Sequence, residues 1–422
     1  MKALVDSTAL PGHARIVARD DVWMEGDAVM QFARVAGERG CVRAVAMPDL
    51  HAGRGIPIGA VFAFDGCVIP SLIGGDAGCG VRVAATAAGR IAPDKLERRA
   101  REAMEADPLE GCDPGEVFDA VWQRGPRGLA DLAGVPDDLA RLAAEEAEES
   151  EEKEAAEASP VAGASGDPAP YRAGFESALG SVGGGNHFVE IARVSEVRDA
   201  AAAEALGLTR DALVVVAHSG SRGLGGALAR RWGEGALTGE AMMAYLADLA
   251  GACRFARTNR FLLAYRLLRA LGAARASKLA GGFDVTHNDV VREVVRGAPA
   301  WVHRKGAAPA RGDDATIVLG SRGAPSWVMR ALDSEDGLRS VAHGAGRRMG
   351  RTEAREKIKA RYRRADLTRT DLGGRVICGD AQLLLEEHPD AYKPIEPVVE
   401  SLIEAGMATA VAALTPVVTV KQ

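Results

Sequence analysis

The amino-acid sequence predicts an α+β protein in which helices surround central β-sheets. Short apolar runs broken by glycine and proline predict strands, and long stretches rich in Ala, Leu, Glu and Arg predict helices. Both kinds of segment recur along the chain, no repeat of fixed period is present, and the polar motifs are dispersed throughout. We therefore expect residues 1–422 to form a single composite domain.

Strand-like and helical segments alternate in blocks. Residues 13–46 end in the strand-like run CVRAVAM, and β-prone runs punctuated by glycine and proline continue to residue 87. Residues 93–158 and 226–280 have helical composition, and a basic helix is expected at about 350–365. Strand-and-loop character returns at 178–225 and again from DVTHNDVV to SVAHGAGR. These blocks supply the central sheets and the helices around them.

The composition is that of a globular protein. Apolar residues make up 47% of the chain and there are 50 glycines, which fits a folded, loop-rich protein and argues against disorder. The apolar runs are short and the N-terminus has no continuous apolar stretch of signal-peptide type, so we expect a cytoplasmic protein with no membrane partner. The six cysteines are scattered without a CxxC pair, which argues against a disulfide framework.

Charge is unevenly distributed along the chain. The formal net charge is −6, yet residues 145–157 carry eight glutamates and one lysine, whereas residues 301–375 carry seventeen Arg or Lys against nine Asp or Glu. The acidic run and the Gly/Ser/Pro-rich stretch after it predict a solvated insertion or surface segment at 137–170. The basic stretch is either plain exposed surface or a phosphate-binding patch, because local charge governs phosphate binding more directly than net charge.

The stretch GGDAGCGV presents one carboxylate, Asp76, and one thiol, Cys79, among small residues. Four of the eight histidines stand where a strand-like run meets small or polar residues: His187, His218, His287 and His343. One such histidine is more often structural than a ligand, but four in the same context, with an acid and a thiol, have the chemistry to hold two adjacent divalent metals. Sulfur favours zinc, whereas the other donors also suit Mn, Fe or Co.

Three glycine- and serine-rich loops each carry an arginine: HSGSRGLGG, GSRGAPS and HGAGRRMG. Consecutive backbone N–H groups in such loops form anion-binding concavities, and the planar guanidinium matches phosphate oxygens. Each loop alone is weak support, since many glycine-rich loops are only turns. Together they predict phosphorylated ligands.

A series of motifs follows in order from residue 47 to the C-terminus: MPDLHAGRGIPIGAV, GGDAGCGV, GGGNHFVE, HSGSRGLG, THN, HRKGA, AHGAGRRMGR and EEHPDAYKPIEPV. Together they resemble the motifs of the RtcB-type RNA ligases. The resemblance implies an RtcB-like fold with its metal site at the loop ends of the sheets. It also implies ligation of RNA 3′-phosphate or 2′,3′-cyclic phosphate ends to 5′-hydroxyl ends, in tRNA splicing or RNA repair. Two Mn²⁺ ions and GTP would be the cofactors, and an archease-like activator would be a further candidate partner.

The resemblance also implies residue roles. One Mn²⁺ would be held by Asp76, Cys79 and His187, and the second by Cys79 again with His218 and His287. His343 matches the histidine that becomes guanylylated, and Arg222 matches an arginine that holds RNA phosphate. The guanylate pocket would consist of Asn186, His187, Phe188, Val189, Glu190, His287, Asn288, Leu319, Gly320, Ser321, Arg322, Ser326, His343, Gly344, Ala345, Gly346 and Lys421.

The chain departs from the family pattern in one loop. The family commonly has Pro-Gly-Ser-Met-Gly where this chain has LGSRG, so Leu319 and Arg322 are expected to alter nucleotide or RNA-end preference. Two other functions remain open from the sequence. A metal-dependent RNA cyclic phosphodiesterase would need the metal ligands without His343, and a non-catalytic sensor of damaged RNA ends would need only RNA binding. Asp49 and His51, in PDLH, are candidates for support of the metal ligands.

Overall fold

The computed structural model describes residues 10–156 and 166–422, with residues 147–156 described by their backbone alone. The helices in this part of the chain are α1 Gly26–Ala36, α2 Pro93–Glu105, α3 Pro114–Arg124, α4 Asp137–Ala156, α5 Ala169–Arg172, α6 Ala200–Ala205, α7 Gly223–Trp232, α8 Gly239–Leu271, α9 Arg351–Arg361, α10 Ala381–Glu386 and α11 Ile395–Glu404. The strands are β1 Ala14–Ile16, β2 Cys41–His51, β3 Ile58–Phe64, β4 Gly80–Thr86, β5 Phe188–Val197, β6 Leu213–Ser219, β7 Leu279–Thr286, β8 Asn288–Val295, β9 Ala298–Lys305, β10 Ala307–Pro309, β11 Ala315–Val318, β12 Ser326–Ala331, β13 Ser340–Ala342, β14 Arg375–Cys378 and β15 Ala408–Lys421.

Two large sheets form the centre of the molecule. The larger has the strand order β11-β12-β15-β5-β6-β4-β7, with β14 added beside β15, and the smaller has the order β1-β2-β3-β9-β8. Neighbouring strands are antiparallel except for the parallel pairs β1–β2 and β14–β15. A separate two-stranded ladder joins β10 to β13. Both sheets therefore combine strands that are far apart in the sequence.

The sheets pack face to face with helices on their outer sides. Val45 and Val302 of the smaller sheet share one core cluster with Val214 of the larger. The opposite face of the larger sheet, including Val215, packs against α8, and the opposite face of the smaller sheet packs against α1. Strands buried on both faces are apolar without alternation, which explains the run LVVVA in β6.

The structure confirms the α+β class and most of the predicted blocks. Helices α2, α3 and α4 fall in the predicted block 93–158, and α9 is the predicted basic helix. The block 226–280 divides into α7 and α8 because Gly233 ends α7 with a positive φ of 71°. All six cysteines are free thiols, as expected. None of the described helices is both long and apolar enough to cross a membrane.

The acidic segment begins on a well-anchored helix. Glu146 of α4 is buried and accepts hydrogen bonds from Arg82 at 2.6 and 2.8 Å and from Arg257 at 3.2 Å. These interactions hold the pKa of Glu146 at about 2 although burial alone would raise it. The first part of the predicted segment 137–170 is thus attached to the larger sheet and to α8. Residues 157–165 lie outside the described part of the chain.

Candidate active site

Strand pairing brings the predicted metal ligands to one end of the larger sheet. The neighbouring strands β5, β6, β4 and β7 are antiparallel, so the starts of β5 and β4 lie beside the ends of β6 and β7. Gly80 pairs with both Ser219 and Thr286, and Phe188 pairs with His218. His187, Cys79 and His287 are each one residue from these positions. The ladder therefore gathers ligands from four separate segments.

The polar side chains at this end form a compact, buried cluster. Cys79 Sγ lies 3.4 Å from Nε2 of both His187 and His218. His187 Nε2 is 3.1 Å from an Asp76 carboxylate oxygen. The His287 ring centroid lies 5.2 Å from that of His218. All five predicted metal ligands are thus brought together, and Cys79 is central among them.

The donor set fits a divalent cation. Among the described residues, Nδ1 of His218 and Nδ1 of His287 are buried without a hydrogen-bond partner. Burial and the neighbouring imidazoles lower the pKa of both histidines well below the usual range, so their nitrogens are neutral and offer lone pairs at pH 7. One thiol, three imidazoles and a carboxylate are ligands that transition metals and zinc accept. Within the described part of the chain, Cys79, His187 and His218 hold one ligand atom each within 4.8 Å of one another, close enough to bind one ion.

The pKa values of Asp76 and Cys79 are shifted in opposite directions. Burial alone would raise the pKa of the Asp76 carboxyl, but the His187 imidazole beside it holds that pKa below its usual range. Burial and the Asp76 carboxylate raise the pKa of the Cys79 thiol well above its usual range. A cation bound between them would favour the thiolate, because metal ligation requires deprotonated sulfur.

His343 lies beside this cluster and is paired with a carboxylate. It directly follows β13, and its ring centroid is 4.8 Å from that of His287. Its Nδ1 lies 2.7 Å from Asp49 Oδ2, and Asp49 is fully buried. In the neutral imidazole tautomer whose Nδ1–H donates to a carboxylate, the lone pair is on the other nitrogen, Nε2. Asp49 therefore supports His343 directly, whereas the sequence suggested support of the metal ligands.

The position of Asp49 depends on its surroundings. Lys393 Nζ donates to the carbonyl oxygens of Pro48 at 3.1 Å and Leu50 at 2.8 Å, on either side of Asp49. Burial lowers the pKa of Lys393 to about 8. Gly346 has a φ of +74°, and a Cβ there would overlap the backbone of Asp49. The glycines of HGAG thus permit the close approach of two distant segments.

A cavity of about 1470 Å³ opens over the cluster. Its wall contains most of the predicted metal and nucleotide residues: Asp76, Cys79, Asn186, Phe188, Glu190, His218, His287, Asn288, Leu319, Gly320, Ser321, Arg322, His343, Gly344, Ala345, Gly346 and Lys421. The volume is large enough for a nucleotide and part of a second ligand. The sequence motifs therefore converge on one cavity.

Four of the predicted residues are not part of the cavity wall. His187 and Arg222 do not line it, although His187 contacts the lining residue Cys79, and Val189 belongs to the core on the helical side of the larger sheet. Ser326 Oγ accepts a hydrogen bond of 3.1 Å from the backbone N–H of Gly320, so it supports the loop that contains Leu319 and Arg322. The side chains of Val189 and Ser326 thus contribute to the pocket through the backbone they hold.

One end of the cavity has a buried carboxyl and a buried amine. Burial raises the pKa of Glu190 to about 7, opposed by a 3.0 Å hydrogen bond that Thr419 donates to it and by Lys421. Lys421 Nζ donates to the carbonyl oxygen of His187 at 3.0 Å. Arg322 Nη2 donates to the carbonyl oxygen of Leu384 in α10 at 2.9 Å, and burial lowers its pKa to about 10. Donors and acceptors suited to a nucleobase edge are therefore present.

Two further cations lie close to the metal cluster. Arg222 has an unusual backbone for a non-glycine residue, with a φ of 60°, and its Nη1 is 3.0 Å from His187 Nδ1. Lys305 lines the cavity, and its Nζ donates to the carbonyl oxygen of Ile73 at 3.0 Å. Burial lowers the pKa of Lys305 to about 8, opposed by Asp76. Lys305 is thus part of the cavity wall.

Comparison with known proteins identifies the family. The model of the family described as tRNA-splicing ligase RtcB matches residues 31–239 and 236–422. The chain belongs to the RtcB family. The resemblance found in the sequence motifs is thereby confirmed, and the match extends over both sheets and every segment of the site.

Several curated members of the RtcB family are similar over most of their length. RNA-splicing ligase RtcB2 of Escherichia coli is 38% identical over 418 residues, covering 96% of this chain and 94% of the relative. RNA-splicing ligase RtcB of Mycobacterium tuberculosis is 31% identical, covering 93% of this chain and 100% of the relative. tRNA-splicing ligase RtcB of Pyrobaculum aerophilum is 29% identical over 457 residues. The likeness therefore extends to archaeal relatives.

Sequence reasoning missed two contributors to this RtcB site. It did not pair Asp49 with His343, and it did not notice Lys393, which fixes the backbone around Asp49. The signals were the polar residues Asp49 and Lys393, each next to a proline or an apolar residue in the motifs PDLH and YKPIEP. Such residues are rarely buried unless a partner satisfies them.

Proposed function

We propose that this chain is a GTP-dependent RNA ligase. It would join RNA 3′-phosphate or 2′,3′-cyclic phosphate ends to 5′-hydroxyl ends, through guanylate attached to His343. The observation that carries the proposal is the arrangement of His343, whose Nδ1 is 2.7 Å from the buried Asp49 carboxylate and whose ring faces the cavity beside the metal-ligand cluster. Family membership supports the RNA substrate.

The first chemical step would attach guanylate to the protein. His343 Nε2 attacks the α-phosphorus of GTP, a phosphorus–nitrogen bond forms, and pyrophosphate leaves with the electrons of the broken P–O bond. Asp49 accepts a hydrogen bond from Nδ1–H and stabilises the positive charge that develops on the ring. The backbone N–H groups of Gly344 and Gly346, in the loop that follows His343, would bind phosphoryl oxygens, whereas that of Ala345 donates to the carbonyl oxygen of Leu319. Glu190 and Lys421 would contact the guanine edge.

The later steps would transfer the guanylate and join the RNA. A 2′,3′-cyclic phosphate end is first hydrolysed to a 3′-phosphate. An oxygen of that phosphate attacks the guanylate phosphorus, which releases His343 Nε2 and gives an activated 3′ end. The 5′-hydroxyl then attacks the RNA phosphorus, and GMP leaves with the displaced electron pair. Arg222 and Lys305 would hold RNA phosphate oxygens during these steps.

Two Mn²⁺ ions are proposed as cofactors. Asp76, Cys79 and His187 would hold one ion, and Cys79, His218 and His287 the other. When bound, such ions neutralise charge on phosphoryl oxygens and lower the pKa of attacking groups. The central position of Cys79, whose Sγ is 3.4 Å from Nε2 of both His187 and His218, supports this assignment.

The test is to incubate the purified protein with Mn²⁺ and GTP labelled at the α-phosphate, and to measure label retained after denaturation. The proposal expects acid-labile, alkali-stable label on wild-type protein and none on His343→Ala. His13→Ala is the matched control, because His13 lies outside the cavity and its Nε2 contacts the carbonyl oxygen of Ala36. No label on folded, metal-loaded protein would overturn guanylate transfer. Opening of a cyclic phosphate end without label would then favour the phosphodiesterase.

A further inference from the structure

One buried arginine, absent from the motifs above, lies behind the metal-ligand cluster. Arg260 is in the middle of α8, where the sequence reads FARTNRFLLAY, and its side chain is completely buried. Its guanidinium points from the helix into the larger sheet, at the end where the candidate ligands gather. A fully buried arginine normally has every N–H group satisfied, and its partners show what it holds in place.

The acceptors of Arg260 are all adjacent to ligand residues or pair with its charge. Nη1 donates to the carbonyl oxygen of Gly78 at 2.7 Å and to that of Ser219 at 3.1 Å. Nη2 donates to Thr286 Oγ1 at 3.3 Å. Gly78 precedes Cys79, Ser219 follows His218, and Thr286 precedes His287. A single planar group therefore joins the three segments that carry these ligands.

The charge of Arg260 is neutralised where it lies. Nη2 and Nε donate to the two carboxylate oxygens of Asp284 at 2.6 and 3.1 Å, a bidentate pair. The guanidinium therefore adds no uncompensated positive charge behind a site for cations. A Cβ at Gly80 would lie 2.8 Å from Arg260 Cζ, so glycine at this position leaves room for the guanidinium.

The other ligands are held by different groups. His187 Nδ1 is contacted by Arg222, and the Asp76 backbone carbonyl accepts a 2.9 Å hydrogen bond from Asn288 Nδ2. Among the described contacts, Arg260 has none with Asp76 itself or with the segment that carries His187, and its nearest contact to Asp76 is the carbonyl oxygen of Gly78, two residues along the same loop. Arg260 thus holds the backbone next to Cys79, His218 and His287, whereas Asp76 and His187 have direct contacts of their own.

We propose that Arg260 is the positioning residue for the half of the centre formed by Cys79, His218 and His287. It sets the spacing of these three ligands and thereby the affinity for the second ion. The inference rests on the proposed two-ion function. Outer groups that orient ligands typically change metal affinity by about 10- to 100-fold when removed. Loss of Arg260 should therefore lower the affinity for the second ion by about that factor and the affinity for the first ion much less.

The variants are chosen so that the protein still folds. Arg260→Met alone leaves the buried Asp284 carboxylate unpaired, whereas the double variant Arg260→Met/Asp284→Leu removes both charges and is expected to fold. Arg260→Lys keeps a charge opposite Asp284 but has no planar fork to reach Gly78 and Ser219 together. Arg266→Met is the matched control, because Arg266 lies on the same helix and donates to the carbonyl oxygens of Gly180 and Ala103.

The experiment titrates each metal-free, full-length protein with Co²⁺ and follows the thiolate-to-cobalt charge-transfer band, with bound ions counted by equilibrium dialysis. Circular dichroism confirms that each variant is folded. Wild-type protein and Arg266→Met should bind two ions. The double variant should bind one ion nearly as tightly and the second about 10- to 100-fold more weakly, with a weaker band, and Arg260→Lys should be intermediate.

Two results would overturn the inference: a folded double variant that binds both ions like wild type, or an Arg260→Lys variant identical to wild type, which would show that charge alone suffices. Wild-type protein that binds fewer than two ions would overturn the two-ion assignment and the inference with it. The guanylate label on wild-type His343 is measured separately. Failure of the proposed function is therefore distinguishable from failure of the role of Arg260.

Discussion

Replacement of Asp49 by asparagine should slow guanylate transfer to His343 and leave metal binding intact. Asp49 Oδ2 is 2.7 Å from Nδ1, and the carboxylate is fully buried. An asparagine oxygen can still accept the Nδ1–H bond, so the ring keeps its orientation and loses the opposing charge. Loss of a charge-assisted bond costs about 2 kcal/mol, and a charge pair at about 4 Å with an effective dielectric constant of about 20 contributes about 4 kcal/mol. The expected decrease in rate is therefore about 30- to 1000-fold.

The assay is single-turnover labelling of Asp49→Asn protein with GTP labelled at the α-phosphate, stopped at a series of times. Asp248→Asn is the control, because Asp248 is equally buried but accepts hydrogen bonds from Tyr171 at 2.6 Å and Trp232 at 2.9 Å, outside the cavity wall. A labelling rate for Asp49→Asn within about threefold of the wild-type rate would refute the reasoning, because a threefold change corresponds to less than about 1 kcal/mol of activation free energy. Loss of bound metal in this variant would instead place Asp49 in support of the metal ligands.

Three further variants test the electrostatics of other regions. The pKa of Glu190 is about 7 in the folded protein against 4.5 in the unfolded chain, so its ionisation disfavours folding increasingly as pH rises. Glu190→Gln should therefore gain about 2 to 3 kcal/mol of unfolding free energy relative to wild type between pH 5 and pH 8, measured by urea unfolding. The pKa of Glu146 is about 2 in the folded protein, so its ionised carboxylate stabilises the fold fully above pH 4.5 and less as the pH falls. Glu146→Gln should therefore lower the free energy of unfolding by about 3 kcal/mol at pH 7, and the difference from wild type should disappear near pH 2. Arg222→Met should bind 3′-phosphorylated RNA more weakly and reduce the slope of log affinity against log salt by about 0.7, measured by fluorescence anisotropy. Arg90→Met is the control for Arg222→Met, because Arg90 lies beyond the end of β4 that is far from the site, and it should keep the wild-type slope.

The sequence was sufficient to predict which of the candidate ligand residues come together, because residues such as His218 and Cys79 lie at an abrupt change of composition. His218 ends the run LVVVA and is followed by small polar residues, and Cys79 stands among glycines just before β4. Such junctions mark where a strand ends and a loop begins, and a sheet brings its strand ends together. The order of the strands was not predictable in this way. The pairing of β4 with both β6 and β7 joins segments that are distant in the chain, and no local pattern specifies it.

The supporting residues were harder to predict than the ligands. Arg260 lies in a helix that the amphipathic pattern predicts. The position of an arginine in that pattern does not show whether its side chain is buried or exposed. Asp49 lies in β2 next to proline, where its partner 294 residues later is invisible to a local pattern. The role of both residues depends on tertiary contacts, and only coordinates identify the acceptor of a hydrogen bond.

The great separation of the site residues along the chain determines when the centre can form during synthesis on the ribosome. Cys79 meets histidines that lie 108 and 139 residues later, and Asp49 meets a histidine 294 residues later. A nascent chain that ends before residue 287 lacks part of the proposed set of metal ligands, and one that ends before residue 343 lacks the proposed nucleophile. If the proposed function holds, guanylate transfer becomes possible only after most of the chain has been made, and abandoned translation products would be inert toward GTP.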